Sequence, residues 1–400
     1  MNDSQRLIIN ILKNSLNNKK SEIYLQKMSI WNKVIKFARE HEISSLIYYL
    51  IERSSLKCID KHILNSWKAD VIKSNMSQLK IESEINKIIC GFNKMKIKIV
   101  LLKGLILKNY YLKPELRTMG DGDILIQEKD YKKAEKYLLE EGYALYKEKN
   151  SVHQGFINEN GILIELHWKL INNENYIADT EEFENNIWNR CVCSSIYGEY
   201  VYSLNNEDFL LHLFIHMAKH IRVSGFGLRH LYDIALFIKR NYESIKWEEF
   251  YFMAKKNNAL KFSKGILLII NDIFEVKIPR EILNDNTIKK SDLNLLLEWV
   301  LSHGVFGVNN IINGLTCVYM NRRMYKNNIK LKSETVSSAA ETKMAQINIK
   351  KSRILRSVEL FHEFMYIIFI KYGIINFFRN FCRSLINGEK KIKILNRFNL

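Results

Sequence analysis

The sequence predicts an α+β protein, mainly helical overall, with a mixed-sheet core flanked by N-terminal and C-terminal helical regions. Three observations predict it. Only two prolines, Pro114 and Pro279, and 16 glycines occur in 400 residues, and so few breakers favour helices. Apolar residues recur at helical spacing before residue 95 and again after residue 205. Between those stretches the pattern shortens to that of strands alternating with short helices.

Taken in chain order, Ile8, Ile9, Ile11 and Leu12 mark a first helix. A second stripe runs from Ile30 to Leu50, and a longer one from Ile63 to Phe92. Ile97 to Leu102 is rich in β-branched residues and stops at Lys103-Gly104, as a buried strand does. A short helix is expected over Leu105 to Tyr111. Asp121 to Ile126 then alternates acidic and apolar residues at period two, and Lys129 to Glu141 reads as a helix stopped by Gly142. Strands are expected over Ala144 to Tyr146, Val152 to Ile157 and Ile162 to Trp168, with Glu159-Asn160-Gly161 turning between the last two. Asn205 caps a helix over Phe209 to Ile221. Further helices follow at Leu228 to Arg240, Trp247 to Asn257, Leu260 to Phe274 and Ser291 to Leu301. The division that results is 1–95 N-terminal helical, 96–204 core, 205–325 C-terminal helical, and 326–400 a basic, partly mobile helical extension.

Composition bounds the function classes. An apolar fraction of 47%, with 20 Tyr and 20 Phe, excludes a disordered chain. The formal charge of +18 is spread along the sequence, with a cluster at Lys129, Lys132, Lys133 and Lys136 and no arginine-dense arm. Such a surface suits polyphosphates as well as nucleic acid, so charge alone does not choose between them. The six cysteines show no C-x-x-C spacing; Cys191 and Cys193 read as small, partly buried residues, and free thiols fit a reducing cytoplasm. Met1 to Lys20 lacks the apolar core of a secretory signal. Phe364 to Phe378 is apolar but interrupted by Lys371, too short for a membrane span. The aromatic, basic stretch from Phe361 onward reads as a packing helix, with a peripheral membrane helix as the alternative.

The chemistry concentrates between Leu101 and Trp168. Residues two apart on a strand face one side, so Asp121 and Asp123 present two carboxylates to one point, and Glu165 and His167 do the same from another strand. Three crowded carboxylates repel unless a divalent cation lies between them. A magnesium site suits phosphoryl transfer, in which position and charge neutralisation do the catalysis. Gly104 at a strand-to-helix turn lets the backbone approach phosphate, and Lys103 and Arg117 are natural counter-charges. His167 either meets substrate or fixes Glu165 by a hydrogen bond. His212, His216 and His220 are four apart, hence on one helix face; packing and hydrogen-bonding roles are expected for them, and Arg229 is expected to pair with Asp233 on its own helix.

This order of motifs resembles the DNA polymerase β-like nucleotidyltransferase superfamily, and within it a bacterial family of uncharacterised nucleotidyltransferases. The resemblance rests on Leu102-Lys103-Gly104, on Arg117 ahead of Asp121-Gly122-Asp123, on Gly142-Tyr143, and on Glu165-Leu166-His167-Trp168. Phe37 to His41, His212 to His220 and Arg229 to Ile234 extend it over most of residues 30–310. It implies that Asp121, Asp123 and Glu165 are catalytic metal ligands, with magnesium or manganese as cofactor. Lys103, Gly104 and Arg117 are implied to bind the nucleotide, and His167, His216 and His220 to line the cleft. The implied activity moves a nucleoside monophosphate from an NTP such as ATP to a small-molecule, peptide or protein acceptor. A non-catalytic nucleotide- or nucleic-acid-binding protein on a decayed transferase fold is the alternative. Two departures stand out: Lys103-Gly104 replaces the superfamily's Gly-Ser or Gly-Gly, and Gly122 replaces a commoner apolar residue between the acids.

Overall fold

The computed structural model describes residues 1–22, 28–147, 149–171, 181–196, 198–223, 225–305, 386 and 388–398. By internal contacts the chain divides into Met1–Phe306 with Ile394–Leu400, and Gly307–Lys393. Of the second unit the described residues are 386 and 388–393, all helical.

The N-terminal helices are α1 (Asp3–Leu16), α2 (Met28–Glu40), α3 (Ser44–Leu50), α4 (Arg53–Leu56) and the 34-residue α5 (Lys61–Lys94). Asn2 opens α1 with a capping box to Gln5, satisfying two of the orphan donors at the helix start. The stripe expected as one helix from Ile30 to Leu50 is two. The chain breaks at residues 41–43, where Glu42 takes a left-handed φ of 52° and its carbonyl accepts from Thr118 Oγ1 at 2.8 Å. A tertiary contact sets that break, and local periodicity carries no trace of it.

The core follows in the order β1 (Ile99–Leu101), α6 (Gly104–Leu107), β2 (Asp121–Ile126), α7 (Tyr131–Glu140), β3 (Ala144–Tyr146), β4 (His153–Ile157), β5 (Leu163–His167), α8 (Glu181–Arg190), β6 (Val192–Ile196) and β7 (Glu199–Ser203). The strands form one mixed sheet ordered β3-β4-β5-β2-β1-β7-β6. β2 runs parallel to β5 and antiparallel to β1, and β7 adds parallel to β1. The β6–β7 hairpin and α8 had no counterpart in the sequence reading. β6 is exposed over most of its length, so it lacks the alternation that marks a half-buried strand.

One sheet face carries the core. Ile124 and Ile126 of β2, with Ile164 and Leu166 of β5, pack under Ile81, Ile85, Ile88 and Phe92 of α5 and Ala134 and Leu138 of α7. Period-two alternation therefore turns Asp121, Asp123, Glu165 and His167 to the other face.

The C-terminal helices are α9 (Asn206–Val223), α10 (Leu228–Asn241), α11 (Trp247–Lys256), α12 (Leu260–Phe274), α13 (Arg280–Leu283) and α14 (Lys290–His303). Asn205 caps α9 through the Asp208 amide at 2.8 Å. α1 packs on α12, and Ser15 hydrogen-bonds Tyr232 at 2.7 Å, so the two helical regions meet although the core separates them in sequence. Residues 388–398 are helical, with the buried Phe398 ring edge-on to Phe262 at 6.2 Å. The segment 330–350 and the stretch 361–378 lie outside the described residues. Among those described, no helix is long and apolar enough to cross a membrane.

Candidate active site

Strand register assembles the site. β2 and β5 pair in parallel with Asp123 opposite Glu165, and residues paired in this way share a face. Asp121 lies two positions before Asp123 on the same side. β4 pairs antiparallel to β5 with His153 opposite His167, which brings a second imidazole beside the acids. The three carboxylates named from sequence thus share one face with His167, and His153 joins them.

Lys103 enters from the end of β1. Its backbone is left-handed, with φ 41° and ψ −110°, a conformation that is strained for a residue bearing a Cβ. The strain sits at the turn from β1 into α6. Its ammonium lies 2.7 Å from Asp123 Oδ1. His167 Nε2 lies 2.9 Å from the same oxygen and 3.5 Å from Glu165 Oε2. Of the two roles open to His167, the closer bond goes to Asp123.

The acids are electrostatically unequal. Burial and the neighbouring Asp123 charge push the Asp121 carboxyl up to about 7. Burial also opposes ionisation of Asp123, but Lys103 and His167 outweigh it and hold that carboxyl below the usual range. Glu165 is likewise lowered against its burial, by the hydrogen bond from His167 and the charge of Lys103. Reciprocally, Asp123 and Glu165 raise His167 against burial, and the three acids raise Lys103.

Arg117 is held elsewhere. Its Nε and Nη2 donate to the two Asp233 oxygens at 2.9 and 2.8 Å, and Tyr111 donates to Oδ1 at 2.7 Å. The guanidinium expected to meet phosphate is buried in an ion pair that anchors the segment ahead of β2. A Cβ built on Gly104 would stand 2.5 Å from Arg117 Nη1 and 2.6 Å from Met119 Sδ, so close packing demands glycine there. The expected Arg229–Asp233 pair is corrected: Asp233 takes Arg117, while Arg229 pairs with Glu42 and donates to the Thr118 carbonyl at 2.8 Å. Asp233 is buried against Tyr111 and Arg117, and Arg229, one turn earlier on α10, reaches the break between α2 and α3.

α9 supplies further histidines. His212 and His216 have ring centroids 6.2 Å apart, and His216 and His220 are 4.4 Å apart. Burial lowers His212 to about 3, and it feels the charges of Lys103, Asp123 and His167. The hydrogen-bonding role expected for His212 is absent, because neither ring nitrogen has a partner. Lys219, which sequence reasoning did not single out, is lowered by burial and feels Lys103, Glu165 and Asp123.

Sequence reasoning also missed His153. A signal for it existed: His153 and His167 are equidistant from Asn160 at the centre of the expected turn, so a tight hairpin brings them opposite each other.

Several solved structures resemble the chain at low identity. The lincosamide antibiotic adenylyltransferase LnuA, lincomycin-bound, is 18% identical with a TM-score of 0.26, covering 32% of this chain and 84% of its own. ANT(2")-Ia in complex with adenylyl-2"-tobramycin is 14% identical with a TM-score of 0.32, covering 44% and 94%. An antigenic nucleotidyltransferase-like protein from Paracoccidioides brasiliensis is 11% identical with a TM-score of 0.32, covering 51% and 97%. Among curated proteins, none matches the chain. The model of a protein family described as "uncharacterised nucleotidyltransferase" matches residues 28–275, more than half of the sequence, and the chain belongs to that family of nucleotidyltransferases.

Proposed function

We propose that this nucleotidyltransferase moves a nucleoside monophosphate from an NTP, with ATP the first candidate, to an acceptor hydroxyl or phosphate in a metal-dependent reaction. The observation that supports this reading is the register of Asp123 against Glu165, with Asp121 on the same face. The donor set fits a divalent cation: three carboxylates compete for one locus, and burial together with the Asp123 charge disfavours ionisation of Asp121. Asp121, Asp123 and Glu165 are the residues that hold magnesium, or manganese in its place. When bound, the ion neutralises charge on the triphosphate during in-line displacement.

The chain's own groups do the rest. Lys103 exchanges its ion pair with Asp123 for a phosphate oxygen as the site fills, a role for which its ammonium is already at the carboxylates. Gly104 lets the backbone lie close to the nucleotide, and Arg117 fixes that segment through Asp233. His167 keeps Asp123 ionised and oriented, while His216 and His220 line the cleft. The acceptor oxygen bonds to the α-phosphorus, the bond to the bridging oxygen breaks, and pyrophosphate leaves with that electron pair while the acceptor proton passes to solvent.

The test uses each radiolabelled NTP with magnesium and a cell extract as acceptor source. Label should enter a product as pyrophosphate is released. Asp121→Asn and Asp123→Asn should each reduce transfer by about a thousandfold, the scale of a lost charge-stabilising contact, with unchanged thermal melting. Full activity in both variants ends the proposal.

A further inference from the structure

The nucleotidyl-transfer reading leaves His153 without a role and uses His167 only to hold Asp123, yet with Glu165 the two imidazoles form a nitrogen-rich donor set. His153, Glu165 and His167 each present a ligand atom within 4.8 Å of the others. The Nε2 atoms of His153 and His167 lie 3.7 and 3.5 Å from the two Glu165 oxygens. Ligands on a tetrahedral ion with bonds of about 2.1 Å are separated by roughly 3.4 Å, so only small shifts would close this set around an ion.

Hydrogen bonding fixes the His153 tautomer in the form that binds metals. Asn150 Oδ1 accepts from the backbone amides of Val152 and His153 at 2.8 and 2.9 Å. The other atom of that amide is therefore its NH2, and it donates to His153 Nε2 at 3.0 Å. A nitrogen that accepts carries a lone pair, so the ring proton is on Nδ1. Two acceptors, this lone pair and Glu165 Oε1, thus face each other without a proton between them. A cation resolves that arrangement. An independent observation comes from α9: His212 is 2% exposed, has no partner on either ring nitrogen, and lies within electrostatic reach of Asp123 and His167.

We infer that His153, Glu165 and His167 form a site for a divalent transition-metal ion, distinct in ligand chemistry from the all-oxygen set of Asp121 and Asp123. Imidazole nitrogens favour zinc, nickel and copper, for which cobalt(II) is a spectroscopic stand-in, whereas magnesium and manganese take oxygen donors. Glu165 is shared between the two sets. Loading exchanges the Asn150 contact of His153 for the ion and releases the Nε2 proton of His167, so ion uptake acidifies an unbuffered solution.

The experiment titrates the purified full chain with cobalt(II), without nucleotide and with magnesium in large excess to occupy oxygen-only sites. One equivalent should bind with visible d–d absorption, be displaced by zinc but not by magnesium, and weaken at least tenfold in His153→Ala. His153→Cys should restore binding and add a thiolate-to-cobalt charge-transfer band, an outcome that a merely structural His153 does not give. Asp121→Asn should retain cobalt. The inference is overturned if magnesium displaces cobalt, if His153→Ala binds as wild type does, or if Asp121→Asn alone loses the ion. Because nucleotide is absent, the result stands apart from any failure of nucleotidyl transfer.

Discussion

Arg117 and Asp233 are 116 residues apart in sequence, yet their buried bidentate pair joins the segment before β2 to α10. Removing one member of such a pair leaves an uncompensated buried charge and costs about 3–5 kcal/mol. Asp233→Leu alone should therefore lower the urea midpoint sharply, and Arg117→Met added to it should recover most of the loss, because an apolar pair of similar volume tolerates burial. No recovery in the double variant would show that the pair acts through something other than charge compensation. At this scale the sequence was informative where period and order reinforced each other. Asp121, Asp123 and Glu165 were named because a D-x-D strand and an acid-x-His strand follow a Lys-Gly turn, and register does bring them to one face. Arg117 read as a phosphate ligand because nothing local reveals a partner more than a hundred residues away. The Arg229–Asp233 pair failed for the same reason: i,i+4 spacing makes a contact available, but buried tertiary partners compete for it.

Among the elements, β2 shows how a helix sets what a strand can carry. Gly122 stands where an apolar residue is commoner, and a Cβ there would lie 2.4 Å from Ile85 Cδ1 on α5. The helix fills the space that a side chain on β2 would take, so this glycine keeps α5 close without loosening the catalytic face. Gly122→Ala should destabilise the protein by about 1–3 kcal/mol through overpacking. Ile85→Val deletes the offending Cδ1 atom, so the double variant should be more stable than the sum of the single effects by about 1 kcal/mol. Simple additivity in denaturant melts would contradict the contact. The boundaries of β2 and α12 were legible because each buries a regular face, whereas the exposed β3 was legible only from Gly142 ahead of it. The break at Glu42 and the β6–β7 hairpin were not. The first depends on Thr118, and the second joins the exposed β6 to β7, whose other partner is β1, about a hundred residues upstream.

Across the whole molecule, several histidines are buried neutral. Burial lowers His41 and His220 to about 4 and His212 to about 3, and holds His216 and His230 well below the ordinary value. Their folded-state values lie below the unfolded 6.5, so below about pH 6.5 the unfolded chain binds more protons and stability falls with pH. The contribution is present above pH 6.5 and is lost as the pH drops through about 4. His41 alone accounts for about 3 kcal/mol at full effect. It accepts the Leu228 amide through Nδ1 at 2.8 Å, a bond that Asn can mimic without titrating. Urea midpoints measured in chelator should drop between pH 7 and pH 4.5, and His41→Asn should flatten that slope; an equal slope in the variant would assign the acid lability elsewhere.

The fold class was legible because long helical stripes flank a strand-rich middle. The packing of α1 on α12 was not, since no local pattern encodes which helices meet around a core. What ties residue, element and molecule together is the claim that three carboxylates on neighbouring parallel strands act jointly on a nucleotide's cation. Calorimetry with a non-hydrolysable NTP analogue tests it most directly, comparing magnesium with chelator for the wild type, Asp123→Asn and Glu165→Gln. The account requires binding that depends on magnesium and weakens at least tenfold in both variants. Equal affinity with and without the ion, or unchanged affinity in both variants, would contradict it.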